Sequence, residues 1–529
     1  MKSGPSITLS ATHRLVLVVV VFGIEWCLFG YRYFVSGAGL ELVPIINRYL
    51  NPSYLPADYY LNGIMAGGNH RLLLTVLAGE LARIVGSVER SMLSLFVVFG
   101  LISNWALCRI LERWCVSYWS VLLCMIAAAL FWYLVIPYNL PGNVTPIHAE
   151  LSANHVARAF LYWAILLSLV GSILGPITLV CLAAAFQPID GILTYPLVVF
   201  ISLIGRIRES NEPNRVLPLI GMYLAGAAII VTVVVLINRS LVIQHWDPDV
   251  FQTLLSVRFP HHYLPETWSH SSWAWLSGVA ITGSWMLYRL GEKPLLYAGL
   301  GVLFLFLCYL LILTVAPSVF IYKLQGAKLL WGNYVIWGLA MSAGLYKECQ
   351  RWASIFNRGS RIFRTTIVLA GSLILGTVLY AASNHGLENL KSKALRSAKL
   401  LSEGNYRSSK DYYVTGHQEI ARWLKYNSDE SDLILHPPEI NAVRSVSERA
   451  SVLLNTLAGF SPSLGKEYLL RRESLQDFCL KTDSDLALLA NTYQANVIIV
   501  PTRDRCAIQQ RDADVWQNHF AGWLISRVE

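Results

Sequence analysis

The sequence predicts a mainly α, polytopic membrane protein with about 11 membrane helices, including one short broken pair, followed by a small C-terminal α/β soluble domain. Three observations predict this class. Of the 529 residues, 55% are hydrophobic and only 14% charged, with a mean hydropathy of +0.47; soluble domains carry roughly 25% charged residues. Apolar runs of helix-spanning length recur as far as residue 383. Beyond Asn384 charged and polar residues rise sharply, which divides the chain into a multi-pass unit, 1–383, and an α/β domain, 384–529. The 17 tryptophans and 26 tyrosines suit a membrane–water interface. The net charge of +9 is read as basic cytoplasmic loops rather than as a nucleic-acid surface.

Hydropathy places helices near 14–35, 91–111, 118–137, 157–173, 175–187, 189–204, 216–238, 273–290, 294–316, 330–346 and 364–383. The run after "HRLV" has no small-residue cleavage site, so it is expected to stay as a first membrane helix. Ahead of the second helix, "HRLLLTVLAGELARIVGSVER" alternates apolar residues with Arg71, Glu80, Arg83 and Glu89 at helical spacing. That pattern suits an amphipathic helix on the membrane surface. The halves 175–187 and 189–204 each look too short to span the core, and "FQPIDG" between them breaks the helix at Pro188. They are expected to form a re-entrant or broken pair; one long kinked span is the alternative.

Charge supports the pair. With the N-terminus in the cytoplasm, the cytoplasmic loops receive Arg109 and Arg113; Arg206, Arg208 and Arg215; Arg289 and Lys293; and the basic run from Lys347 to Arg364. The loop "YNLPGNVTPIHAELSANH" has no Lys or Arg and falls outside, as the positive-inside rule requires. The outer face then holds segments 36–90, 138–156 and 239–272 and the tail. In the tail "HQEIARWLKYN" has helical period, while "DLILHPP", "ASVLLN" and "NVIIVP" are strand candidates. "LQDFCLKTDSDLALLANTYQ" reads as a helix between the later strands. The nine cysteines form no C-x-x-C; Cys479 and Cys506 in the tail are able to pair in an oxidising compartment.

Four polar constellations fall on the predicted outer face. In "GLELVPIINRYLNPSYLPADYYLN", Glu41 and Asp58 are candidate general bases or cation-positioning carboxylates. Asp58 is equally suited to cap the helix that follows. In "TPIHAELSANHVARAF", His148 and His155 permit metal ligation only with ligands from elsewhere. Ser152 or Asn154 is a cap candidate, and Arg158, just inside the next helix, is a candidate for a substrate path. In "VRFPHHYLPETWSH", Arg258 offers a bidentate fork and His261 and His262 offer protons to an anion; the alternative is an interfacial loop anchored by Tyr263, Trp268 and Trp273. In "IYKLQGAKLLWGNY", Lys323 and Lys328 enter from the outer face, either snorkelling or binding a lipid-linked phosphate. No residue is assigned as a metal ligand.

The order of these parts, with "INRYLNPSYLPADYY", "FQPIDGILTYPLVV", "RFPHHYLP" and "IARWLKYN…DLILHPP…RASVLL", resembles the GT-C class of membrane glycosyltransferases, in a bacterial group of that general shape. The resemblance implies transfer of a sugar from a polyprenyl-phosphate donor to a cell-envelope glycan or lipid acceptor at the outer face of the bacterial cytoplasmic membrane. It places a carboxylate base in the first outer loop, at Glu41 or Asp58, and a donor phosphate on Arg258, His261, His262, Lys323 or Lys328. It implies membrane lipids as surroundings and a divalent cation as the one candidate cofactor. The tandem acidic pair common in that first loop is absent. A protein that binds or transports lipid-linked saccharide without transfer, or a repeat-unit polymerase, is the alternative.

Overall fold

In the computed structural model the described residues are 9–29, 37–67, 71–134, 151–209, 216–237, 245–258, 264–358, 415–438, 443–453, 461–502, 516, 518–520 and 522–528. The fold is mostly helical with one small sheet. The first half runs through α1 (Ala11–Phe29), α2 (Gly37–Leu50), α3 (Tyr59–Gly67), α4 (Leu72–Val85), α5 (Val88–Glu112), α6 (Tyr118–Leu134), α7 (Ala153–Leu169), α8 (Leu174–Phe186) and α9 (Pro188–Glu209). There follow α10 (Val216–Ile237), α11 (Pro248–Arg258), α12 (His270–Leu290), α13 (Lys293–Val315), α14 (Val319–Lys323) and α15 (Trp331–Arg358). The tail contributes α16 (Thr415–Asn427), α17 (Pro462–Ser474), α18 (Asp483–Tyr493) and five strands.

Among the described residues four helices are long and apolar enough to cross a membrane: Val88–Glu112, Pro188–Ile207, Leu217–Ile237 and Lys293–Val315. The helices Tyr118–Trp132 and Leu174–Phe186 are apolar but shorter. Several others carry charge along or at the end of the apolar stretch, such as Arg14 and Glu25 in α1 and Lys347, Glu348 and Arg351 in α15. Length and composition therefore single out fewer helices than the eleven or so expected. The expected helix at 364–383 lies outside the described residues.

The broken pair is present, with one correction. The second half is not short: α9 extends to Glu209 and is itself long enough to span. Its N-terminus is set by Pro188, which takes the first helical position because its missing N–H costs nothing there. A Cβ built on Gly191 would lie 2.6 Å from Cα of Ala184. Two residues seven apart in one continuous helix would be roughly 10 Å apart, so the chain folds sharply back and α8 and α9 pack side by side. Only glycine fits so close to a neighbouring backbone.

Segment 36–90, expected on the outer face, holds three helices ahead of α5 among its described residues rather than one amphipathic helix and a loop. The predicted surface helix stops at Val85, where Gly86 turns left-handed (φ 83°). Ser87 then caps α5 by accepting the amide of Arg90, so Glu89 belongs to the next helix. The stretch "VRFPHHYLPETWSH" is also not all loop, because Arg258 is the last residue of α11. The hub of the helical part is the first half of α15. Tyr334, Val335, Trp337 and Ala340 are fully buried, and Gly338 admits the indole of Trp132 from α6.

The tail sheet has the order β2-β1-β3-β5-β4, with β1 (Leu433–Leu435), β2 (Ala450–Ser451) and β3 (Val497–Pro501) parallel. The antiparallel β5 (Trp523–Arg527) lies between β3 and β4 (Asn518–Phe520). The three predicted strands and the helix at α16 are thus found, and β4, β5 and α17 are additions. The predicted long helix over "LQDFCLKTDSDLALLANTYQ" is divided. Asp477 is left-handed (φ 53°), and a Thr482–Asp485 capping box starts α18 afresh. Cys479 is disulfide-bonded, and Cys506 lies outside the described residues.

The tail docks on segment 36–90. Its core residues Leu433, Leu435, Val452 and Leu464 form one apolar cluster with Ile45, Leu55, Tyr60, Leu61 and Ile64, and with Leu254 of α11. Arg471 of α17 reaches across with its guanidinium 4.8 Å from the Tyr59 ring and 4.9 Å from that of Tyr493.

Candidate functional site

A buried charge cluster lies where α7, α9 and the turn before α15 meet. Ser152 caps α7 by accepting the amide of His155 at 3.1 Å, which puts Arg158 in the second turn, facing inward. Pro188 starts α9 and puts Asp190 in its first turn, where the helix dipole favours a carboxylate. A 3-10 turn, Gly326–Leu330, carries Lys328 inward. Arg158 Nε then lies 3.5 Å from Asp190 Oδ2, and Lys328 Nζ lies 3.2 Å from Oδ1. The side chains of Arg158 and Asp190 are each 3% exposed, and that of Lys328 11%. The Arg158 guanidinium stands 5.1 Å over the Trp331 ring, itself 5.3 Å from Tyr162. Two cations converge on one carboxylate in an aromatic-walled interior, and guanidinium and ammonium groups are the side chains that recognise oxyanions.

The two first-segment carboxylates are held elsewhere, each by an arginine. Glu41 on α2 pairs with Arg71 at the start of α4, 2.6 Å away. Asp58 is fully buried. Its Oδ1 accepts the amide of Leu61 at 2.7 Å, so it caps α3 as its position suggested. Its Oδ2 lies 2.9 Å from Nε of Arg444 in the β1–β2 connection of the tail. Tyr54 sits within electrostatic reach of both Asp58 and Arg444, and burial pushes its hydroxyl up to about 12.

The two lysines of "IYKLQGAKLLWGNY" separate. Lys328 joins Asp190, whereas Lys323 lies 5.9 Å over the ring of Trp246, near α11; burial lowers its ammonium below the ordinary value. His155 is a packed core histidine. It stacks on Phe96 at 4.8 Å, and its Nε2 lies 3.1 Å from the carbonyl oxygen of Phe96. No metal-binding cluster of His, Cys, Asp and Glu occurs among the described residues. His148, His261, His262 and the side chain of Arg258 lie outside the described residues.

The fold therefore brings together Arg158 and Lys328 of the predicted residues and adds two that sequence reasoning did not place in a site. Asp190 was visible as an acid beside a helix-starting proline within an apolar stretch, a position that demands a partner. Arg444 stands in "NAVRSVSER", between two predicted parallel strands, where α/β domains often carry binding groups. No family model matches the chain, and no curated protein matches it.

Proposed function

We propose that the protein is a GT-C-like membrane glycosyltransferase that moves a sugar from a polyprenyl-phosphate-linked donor to a cell-envelope glycan or lipid acceptor. The observation that supports this reading is the convergence of Arg158 and Lys328 on Asp190 in a buried, aromatic-walled cluster. In the proposed topology about 11 helices cross the bacterial cytoplasmic membrane, the N-terminus is cytoplasmic and the tail lies outside. Arg158 and Lys328 hold the donor phosphate, with Arg258, His261 and His262 at the outer boundary as further phosphate-contacting groups. Glu41, paired with Arg71, is taken as the base, because Asp58 caps α3 and is tied to Arg444 of the tail. Release of Glu41 from Arg71 then accompanies acceptor binding, freeing a carboxylate to take the acceptor hydroxyl proton.

A second reading is binding or transport of lipid-linked saccharide without transfer. It is favoured by the ion pairing of both first-segment acids. The full-length protein in lipid vesicles, given a labelled polyprenyl-phosphate sugar and an envelope acceptor, separates the two. The transferase reading expects product from the wild type, loss of product with retained donor binding in Glu41→Gln, and weakened donor binding in Lys328→Met. Donor binding without product in the wild type would establish the second reading.

A further inference from the structure

Arg444 is 1% exposed, yet among the described residues its Nε, Nη1 and Nη2 have no hydrogen-bond partner. The 2.9 Å approach of Nε to Asp58 is a charge contact outside hydrogen-bond geometry. A guanidinium keeps its charge and its five N–H donors under all ordinary conditions. Buried polar groups almost always find partners, and a donor left without one keeps its full desolvation cost. Such a fork inside a folded domain calls for an acceptor.

Its place in the fold is also one that binds ligands. The chain leaves β1, passes through Arg444 and returns as β2 on one side of β1, while β3 pairs on the other side. The carboxyl ends of β1 and β3 therefore flank a topological switch point, where open α/β sheets take their ligands. The local charge is favourable. Arg48 donates to the carbonyl of Tyr54 and to the side chain of Asn62, on either side of Asp58. Arg48 and Arg444 together outweigh Asp58, and Glu448 nearby is already paired with Lys425 at 2.6 Å. Tyr54 stands beside the pair, in electrostatic reach of both Asp58 and Arg444.

We propose that the Arg444 fork, with Arg48 and Tyr54 beside it, binds a carboxylate or phosphate oxyanion where the first outer segment meets the carboxyl edge of the tail sheet. Two sources share this chemistry: the uronic acid of an acidic glycan, and a phosphate ester. Ligand bound here joins the tail to α3, so occupancy tightens the docking of the two. The site is distinct from the Arg158–Lys328 cluster, and its existence does not depend on the transferase reading.

The test uses the full-length protein in detergent, with inorganic phosphate and glucuronate as separate probes. Equilibrium binding and hydrogen–deuterium exchange are read together. Saturable binding of either probe, with protection in peptides covering 51–62 and 443–453, is expected. Phosphate alone assigns the site to a phosphorylated ligand and glucuronate alone to an acidic glycan. Arg444→Lys, which keeps the charge but loses the fork, weakens binding about tenfold, as expected for roughly one hydrogen bond to a charged group. Asp58→Asn, which removes the competing carboxylate, strengthens it. No saturable binding, protection elsewhere in the chain, or affinity unchanged in Arg444→Lys overturns the proposal. The exchange arm uses the wild type alone, so it decides even if a variant fails to fold.

Discussion

Lys328 Nζ lies 3.2 Å from one oxygen of Asp190 while Arg158 Nε approaches the other at 3.5 Å, so two buried cations share one carboxylate. Removing it takes a counter-charge from both. Asp190→Ala is expected to destabilise the helical part by roughly 3–5 kcal/mol, the cost of breaking a buried pair. Asp190→Ala combined with Lys328→Met is expected to recover part of that loss. Thermal unfolding in detergent measures both; equal midpoints for single and double variants would contradict the coupling.

The contact between Asp58 and Arg444 ties segments far apart in sequence. Asp58→Ala removes both the cap of α3 and the counter-charge of Arg444. A loss of roughly 3–5 kcal/mol is expected from the broken pair, with about 1 kcal/mol more from the lost cap. Limited proteolysis reads it as faster release of the tail. A tail equally resistant in the variant would show that docking rests on the apolar cluster alone.

The sharp turn between α8 and α9 depends on Gly191. Gly191→Ala drives a methyl into the backbone of Ala184, and overpacking of this kind costs about 1–3 kcal/mol. Because Asp190 precedes this glycine, the same substitution is expected to shift the carboxylate and weaken donor binding. Gly278→Ala, with open space at its Cβ position, is the control expected to leave both properties unchanged.

Acid is expected to fray α18 before the rest of the tail. Hydrogen bonds from the Thr482 side chain and amide hold the Asp485 carboxyl below its ordinary value. A carboxyl with a depressed folded value contributes stability above its unfolded value, and that contribution disappears as pH falls through the folded one. Amide exchange at the start of α18 should therefore accelerate on acidification. In Asp485→Asn this acid-dependent step should be absent.

Much of the fold was legible because it is written locally. Periodicity marked α5, α10, α12 and α13 to within a few residues, since a long apolar run has few other ways to satisfy its backbone. Pro188 announced the start of α9, but the helix ran on to Glu209, carrying Pro196 within it. Short apolar runs ended by Pro or Asn marked β1 and β3. The strands β4 and β5 were missed, since such short segments become strands only by pairing with β3.

Sequence by itself determined the membrane-like character of the helices, the alternation of the tail, the caps at Ser152 and Asp58, and which side chains were candidates for a site. Each of these depends on neighbours within a few residues, where spacing translates directly into geometry. Only the tertiary structure decided the partners. It gave Glu41 to Arg71, Asp58 to Arg444, and Arg158 and Lys328 to Asp190, and it parted Lys323 from Lys328. A buried charge takes whichever opposite charge the packing of distant helices delivers, and no local spacing encodes that choice.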